Sequence, residues 1–237
     1  MARSLISTAR DILRPVLDLV YPTRCGGCGG HGDVLCRPCR QSLIALEGPF
    51  VCPVCGMWTG SEAVCGNCIA YPRYFERGYY GFSFEGAMRE AVHAFKFRSR
   101  IDVGRALARM AGAGAVSALA GAIDAIVPVP VTEKRLKERG FNQSFIIAEE
   151  LSRALGAAVD CETLVKVKQT EDQYTLSKKN RRKNIRGAFS ATRRPAGLRL
   201  LVVDDLYTTG NTAREACRTL LRARARTIYF FALARTP

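Results

Sequence analysis

The sequence predicts an α/β protein, a mostly parallel sheet flanked by helices, with a small cysteine-rich module at its N-terminal end. Three observations lead there. Leu200-Leu201-Val202-Val203 and Ala125-Ile126-Val127 are unbroken apolar runs with β-branched residues, the pattern of strands covered on both faces. Longer segments with apolar residues three and four apart alternate with these runs, as crossover helices do. Eight of the ten cysteines stand in C-x-x-C pairs between Cys25 and Cys68. The 237 residues have room for one α/β core and one small module. The organisation expected is an amphipathic helix over 1–20, a metal-binding module over 21–72 and the α/β unit over 73–237.

Within residues 1–20, Leu5, Ile6, Ala9, Leu13, Val16, Leu17 and Val20 share the spacing of one helix face, with Pro15 as a bend. Its charged face is short and carries both signs, so a packing helix is favoured over one lying on a membrane. Neither a secretory signal nor a twenty-residue apolar span is evident, so no stable membrane insertion and a reducing cytoplasm are expected.

The cysteines read C-x2-C-x7-C-x2-C at Cys25, Cys28, Cys36 and Cys39, then C-x2-C-x9-C-x2-C at Cys52, Cys55, Cys65 and Cys68. Two thiolates separated by two residues grip one metal ion, and two such pairs close a tetrahedral four-thiolate site. Two structural zinc ions are expected, paired sequentially or in interleaved order. Gly29 and Gly56 permit the knuckle turns. His31 reads as a solvated loop residue.

Gly78 to Phe84 reads as a strand, and Gly86-Ala87-Met88 opens a helix bearing His93, a packing residue, and Lys96, within reach of an anion. Arg105 to Ala122 is helical. Ala125 to Pro130 is a buried strand, followed by Val131, Thr132, Lys134, Arg135 and Arg139, a gathering of positive charge at a strand end. Ser144 to Leu155 is helical, and Val159 and Leu164-Val165 suggest one short strand. Between Lys166 and Arg194 ten basic residues face only Glu171 and Asp172. Lys178, Lys179, Arg181, Arg182, Lys183 and Arg186 suit a lid over a phosphate group or a nucleic-acid contact, beside the plainer reading of a solvated loop. Tyr174 and Phe189 are candidates for base stacking. The net charge of +15 calls for an anionic partner such as nucleic acid, nucleotide or pyrophosphate.

The most informative stretch is Leu198 to Ala216. Its apolar strand is expected to end at Asp204, placing Asp204 and Asp205 outside the carboxyl edge of the sheet, where ligands of open α/β folds sit. Carboxylates only accept hydrogen bonds, which suits the vicinal hydroxyls of a sugar. Thr208, Thr209, Gly210, Asn211 and Thr212 then form a turn with exposed amides, a phosphate cradle at a helix start. Thr212 is the expected N-cap, Glu215 its capping-box partner, and Thr227 to Leu233 the last strand.

The Val202 to Thr212 run resembles the phosphoribosyl-pyrophosphate signature of type I phosphoribosyltransferases. With the four C-x-x-C pairs, VPVP before RGFNQS, and the 169–184 segment, nearly the whole chain is similar to the ComF/GntX family. That resemblance implies a type I phosphoribosyltransferase-like fold and magnesium phosphoribosyl pyrophosphate as ligand. Asp204 and Asp205 would hold the ribose and Thr208, Thr209, Gly210, Asn211 and Thr212 the 5′-phosphate. Val131, Thr132, Lys134, Arg135 and Arg139 would face pyrophosphate. It also implies a part in handling incoming single-stranded DNA during natural transformation, beside a competence helicase. An enzyme of unnamed acceptor, a DNA-binding scaffold and a ligand-sensing regulator all remain open, and no residue stands out as a general base.

Overall fold

The computed structural model describes residues 22–168 and 185–237. The helix expected over 1–20, and Tyr174, Lys178, Lys179, Arg181, Arg182 and Lys183, lie outside the described residues. In chain order the elements are α1 (Arg37–Gln41), α2 (Gly66–Ala70), β1 (Gly78–Ser83), α3 (Gly86–Phe97), α4 (Ile101–Ala111), α5 (Ala113–Leu119), β2 (Ala125–Pro128), α6 (Glu133–Arg139), α7 (Gln143–Leu155), β3 (Ala158–Val159), β4 (Leu164–Lys166), β5 (Phe189–Ala191), β6 (Arg199–Tyr207), α8 (Asn211–Arg222) and β7 (Thr227–Arg235).

Five of these strands form a parallel sheet in the order β1-β7-β6-β2-β3. Leu200 to Val203 are fully buried, as an apolar run between two helical layers requires. On one face α3, α4, α5 and α7 pack through Phe95, Leu107, Leu119, Ile147 and Leu151; on the other α8 packs through Ala216 and Leu220. Among the described residues no helix is long and apolar enough to cross a membrane.

The cysteine segments share these two cores rather than standing off from them. Cys25, Leu35 and Cys39 pack with Val103 and Phe82 on the first face, while Cys52, Cys55, Cys65 and Cys68 pack with Phe75, Tyr80 and Phe230 on the second. The segment between the two cysteine sets shields the outer edge of β1, Leu46 N donating to Gly81 O and Ser83 N to Ile44 O.

Several expectations change. The helix expected over 105–122 is two helices meeting at Gly112, where a Cβ would press to 2.7 Å from Leu151 of α7. The single short strand near 159–165 is two: β3 extends the main sheet and β4 pairs antiparallel with β5. Between them the Asp160 carboxylate accepts from the amides of Glu162 and Thr163 and turns the chain. Phe189 is buried rather than available for base stacking, and His93 is exposed, its ring 4.8 Å from Phe97.

Phe95 fills the junction of α3 and α4, where Gly104 lets its ring close against the helix backbone. Phe95→Ala should lower unfolding free energy by about 3–5 kcal/mol through transfer and cavity terms, read from the urea midpoint.

Candidate functional site

The strand order locates a crevice. From β2 the chain continues to β3 on one side, whereas from β6 it continues to β7 on the other. The loops leaving β2 and β6 therefore diverge, opening a cleft between the carboxyl ends of two neighbouring strands. β2 stops at Pro128 opposite Val203, while β6 stays paired with β7 as far as Tyr207–Arg235. Asp204 and Asp205 thus lie within β6 rather than beyond it: held by β7 on one side, past the end of β2 on the other.

The two acids differ. Asp205 is buried and pairs with Lys96 of α3, Nζ to Oδ2 2.6 Å. Asp204 is half-buried; its Oδ1 accepts from Ser144 Oγ at 3.1 Å and from the Asp205 amide at 2.9 Å. Burial pushes the Asp204 carboxyl up to about 7, the neighbouring Asp205 charge adding to the rise and Lys96 opposing it. Lys96 is thus a partner of the acids, not a cation held ready for an anion.

Thr208, Thr209 and Gly210 form the turn into α8. Gly210 occupies the N-cap at φ 72° without a side-chain cap. A Cβ there would lie 2.2 Å from the Tyr207 hydroxyl, so glycine is required on both counts. The expected capping box of Thr212 and Glu215 is absent. Glu215 is buried and instead accepts from the Gly187 amide at 2.7 Å and pairs with Arg218. The start of α8 thus has no side-chain cap at Gly210. Thr209 Oγ1 is buried and has no hydrogen-bond partner among the described residues.

Opposite stands the loop after β2. Thr132 caps α6, its Oγ1 accepting from Arg135 N at 3.3 Å. Asn142 anchors the far end, donating to Val129 O at 3.1 Å and capping α7 through Ser144 N. Arg139 lies over the Phe97 ring at 5.3 Å and donates to Gln143 Oε1, leaving buried Gln143 Nε2 as a second donor without a partner among the described residues. Lys134 sits 3.9 Å from Glu138 along the exposed side of α6. Arg186 is exposed just before β5. Gln143 and Ser144 were missed in the sequence; the only signal was their place after the basic cluster, at a helix start.

The metal sites follow the sequential order. The Sγ atoms of Cys25, Cys28, Cys36 and Cys39 lie within 4.8 Å of one another, as do those of Cys52, Cys55, Cys65 and Cys68, so the interleaved order does not occur. The Cys28–Cys36 and Cys55–Cys65 sulfurs stand 3.7 and 3.6 Å apart. A tetrahedron of roughly 2.3 Å zinc–sulfur bonds asks for about 3.8 Å. Gly29 and Gly56 have positive φ in the knuckles, and the Gly27, Cys36 and Cys65 amides donate to sulfur. These clusters bind structural zinc.

Residues 16–69 match the double zinc ribbon domain family, and residues 142–237 match the phosphoribosyl transferase domain family. The chain is 34% identical to the DNA utilization protein YhgH of Salmonella typhi over 207 residues, 85% of this chain and 90% of that protein. It belongs to the ComF family. Other similar members are the Bacillus subtilis competence protein ComFC, 27% identical over 86% of this chain and 85% of that one, and the Haemophilus influenzae competence protein F, 29% identical over 90% and 96%.

For this ComF-family chain two outcomes are expected. Metal analysis should find two zinc ions per chain, and stripping them should lower the melting temperature, since four-thiolate zinc contributes folding free energy; an unchanged melt would refute a structural role. The raised Asp204 carboxyl means the folded state holds a proton that the unfolded chain releases near pH 4. Stability from this group therefore falls as pH rises from about 4 to about 7. Asp204→Asn should melt higher than wild type at pH 8, with the gap closing at pH 5.

Proposed function

We propose that the crevice between β2 and β6 binds magnesium phosphoribosyl pyrophosphate, in a protein that acts on incoming single-stranded DNA during natural transformation. The observation that supports this best is the pairing of Asp204 and Asp205 with an uncapped amide turn on one strand end, at the divergence of two parallel strands. The acids would accept from the ribose hydroxyls, and the turn from Thr208 to Thr212 would take the 5′-phosphate with main-chain amides at the positive end of α8. Buried Thr209 Oγ1 and Gln143 Nε2, lacking partners among the described residues, fit an oxygen-rich ligand between the two loops.

Two adjacent carboxylates are the hard oxygen donors that magnesium prefers, and the ion when bound would offset pyrophosphate charge. Arg135 and Arg139 flank the loop opposite the acids, with Val131 and Thr132 supplying its backbone, and would stabilise charge on departing pyrophosphate. The similar proteins named for competence and DNA utilization, together with the +15 net charge, support a nucleic-acid partner.

Isothermal titration with magnesium phosphoribosyl pyrophosphate tests the ligand. Wild type should bind, and Asp204→Asn combined with Asp205→Asn should weaken binding by roughly tenfold or more, the scale of losing charge-assisted hydrogen bonds. Equal affinity in both proteins would remove the acids from the site. Pyrophosphate release that depends on an added nucleobase would mark an enzyme; ligand-dependent DNA affinity without release would mark a regulator.

A further inference from the structure

A groove runs along α8, between that helix and the segment that leaves the second zinc ribbon for β1. Three hollows make it up: about 600 Å³ at the start of the helix, about 240 Å³ along its middle and about 370 Å³ past its end. The first two share Tyr71, Asn211 and Arg214, and the last two share Tyr74, so each adjoins the next. With twelve residues in α8, the groove follows about 18 Å of helix. Asp204 and Asp205 line none of the three hollows, so the groove is distinct from the crevice between β2 and β6.

Its lining is basic. Arg214 and Arg235 stand in the first hollow, Arg186 and Arg218 join Arg214 in the second, and Arg73 and Arg226 stand in the third. Among the described lining residues the acidic side chains are Glu76 and Glu215, and Glu215 is already engaged by the Gly187 amide and Arg218. On the opposite face of the sheet the arginines are neutralised instead: Arg105, Arg109 and Arg153 close on Glu149 and Glu150. Uncompensated positive charge along one path is the electrostatic footprint of a polyanion.

Aromatic rings interleave with these cations. The chain leaves the ribbon as Tyr71-Pro72-Arg73-Tyr74, with Tyr71 extended at φ −120°, ψ 144°, the conformation that a following proline favours. Tyr71 is exposed, and the Arg214 guanidinium lies 4.6 Å from its ring centre; Tyr74 is half-buried where the second and third hollows meet. Rings set beside arginines suit unpaired bases, whose faces stack while their phosphates follow the positive charge. A duplex keeps those faces covered, so the complementary partner is a single strand.

We propose that this groove is the track of a single strand of DNA, its phosphates along the arginines and its bases on Tyr71 and Tyr74. The proposal rests on the nucleic-acid part of the reading above and is independent of its phosphoribosyl part.

The test is fluorescence anisotropy of a labelled oligothymidylate of about 15 nucleotides, the scale of single-strand site sizes, with the full zinc-loaded chain over a series of salt concentrations. Wild type should bind it roughly tenfold tighter than a duplex of the same length. Tyr71→Ala should weaken binding by about fivefold or more, the scale of one lost stack. Arg73→Ala combined with Arg226→Ala, both at exposed positions, should reduce the slope of log affinity against log salt by about 1.4, at ~0.7 for each phosphate contact with a single strand. Both variants should melt as wild type does and bind magnesium phosphoribosyl pyrophosphate within about twofold of it. Should either melt lower, Arg186→Ala, at another exposed position, carries the same test with a slope change of about 0.7. Oligothymidylate binding unchanged in the variants overturns the groove and leaves the nucleic-acid reading standing, because the strand then lies elsewhere. Weaker binding with an unchanged salt slope, or equal affinity for the duplex, also overturns it. No binding of the oligothymidylate by wild type removes the groove and the nucleic-acid reading together.

Discussion

The contact between Lys96 and Asp205 is what lets two neighbouring carboxylates stand at the end of a buried strand. Both side chains are about nine-tenths buried, and removing one partner of such a pair typically costs about 3–5 kcal/mol because the other charge is stranded. With Asp205 satisfied by α3, the tension falls on Asp204. Its Oδ1 accepts from the Ser144 hydroxyl, and its carboxyl rises to about 7. The two acids therefore differ: Asp205 is held by an ion pair within the fold, while burial and the neighbouring charge raise the Asp204 carboxyl.

The zinc ribbons belong to the same construction. The first packs on the α3/α4 face and the second on the α8 face, with the segment joining them lying along the β1 edge. The sheet thus has metal-braced loops on both faces at one edge. From the second knuckle a column of rings, Tyr80 to Tyr207, reaches the underside of the turn at Gly210. Ordering of the cysteine loop by zinc and ordering of that turn share a packed path, so the metal bears on the site although it coordinates none of the acids.

Much of this was legible in the sequence, for definite reasons. Leu200 to Val203 read as a strand buried on two faces because the run is short, unbroken and β-branched, and the paired cysteine spacing read as metal-binding because two C-x-x-C pairs close one tetrahedral site. The misreadings have equally definite causes. Asp204 read as a strand end because charge rarely continues a buried strand; pairing with β7 carries it on, a tertiary effect. Thr212 and Glu215 matched a capping box, but Glu215 is more useful to Gly187 and Arg218, partners that no local pattern reveals. Lys96 and Ser144 join Asp205 and Asp204 from far along the chain, and only the packing of α3 and α7 on the sheet brings them together.

The most direct test of the central claim, that the end of β6 and the turn beyond it hold the ligand, is amide hydrogen exchange with and without magnesium phosphoribosyl pyrophosphate. The account predicts slowed exchange at residues 208–213, with a smaller effect at 131–135. Saturating ligand that leaves 208–213 unprotected would contradict it.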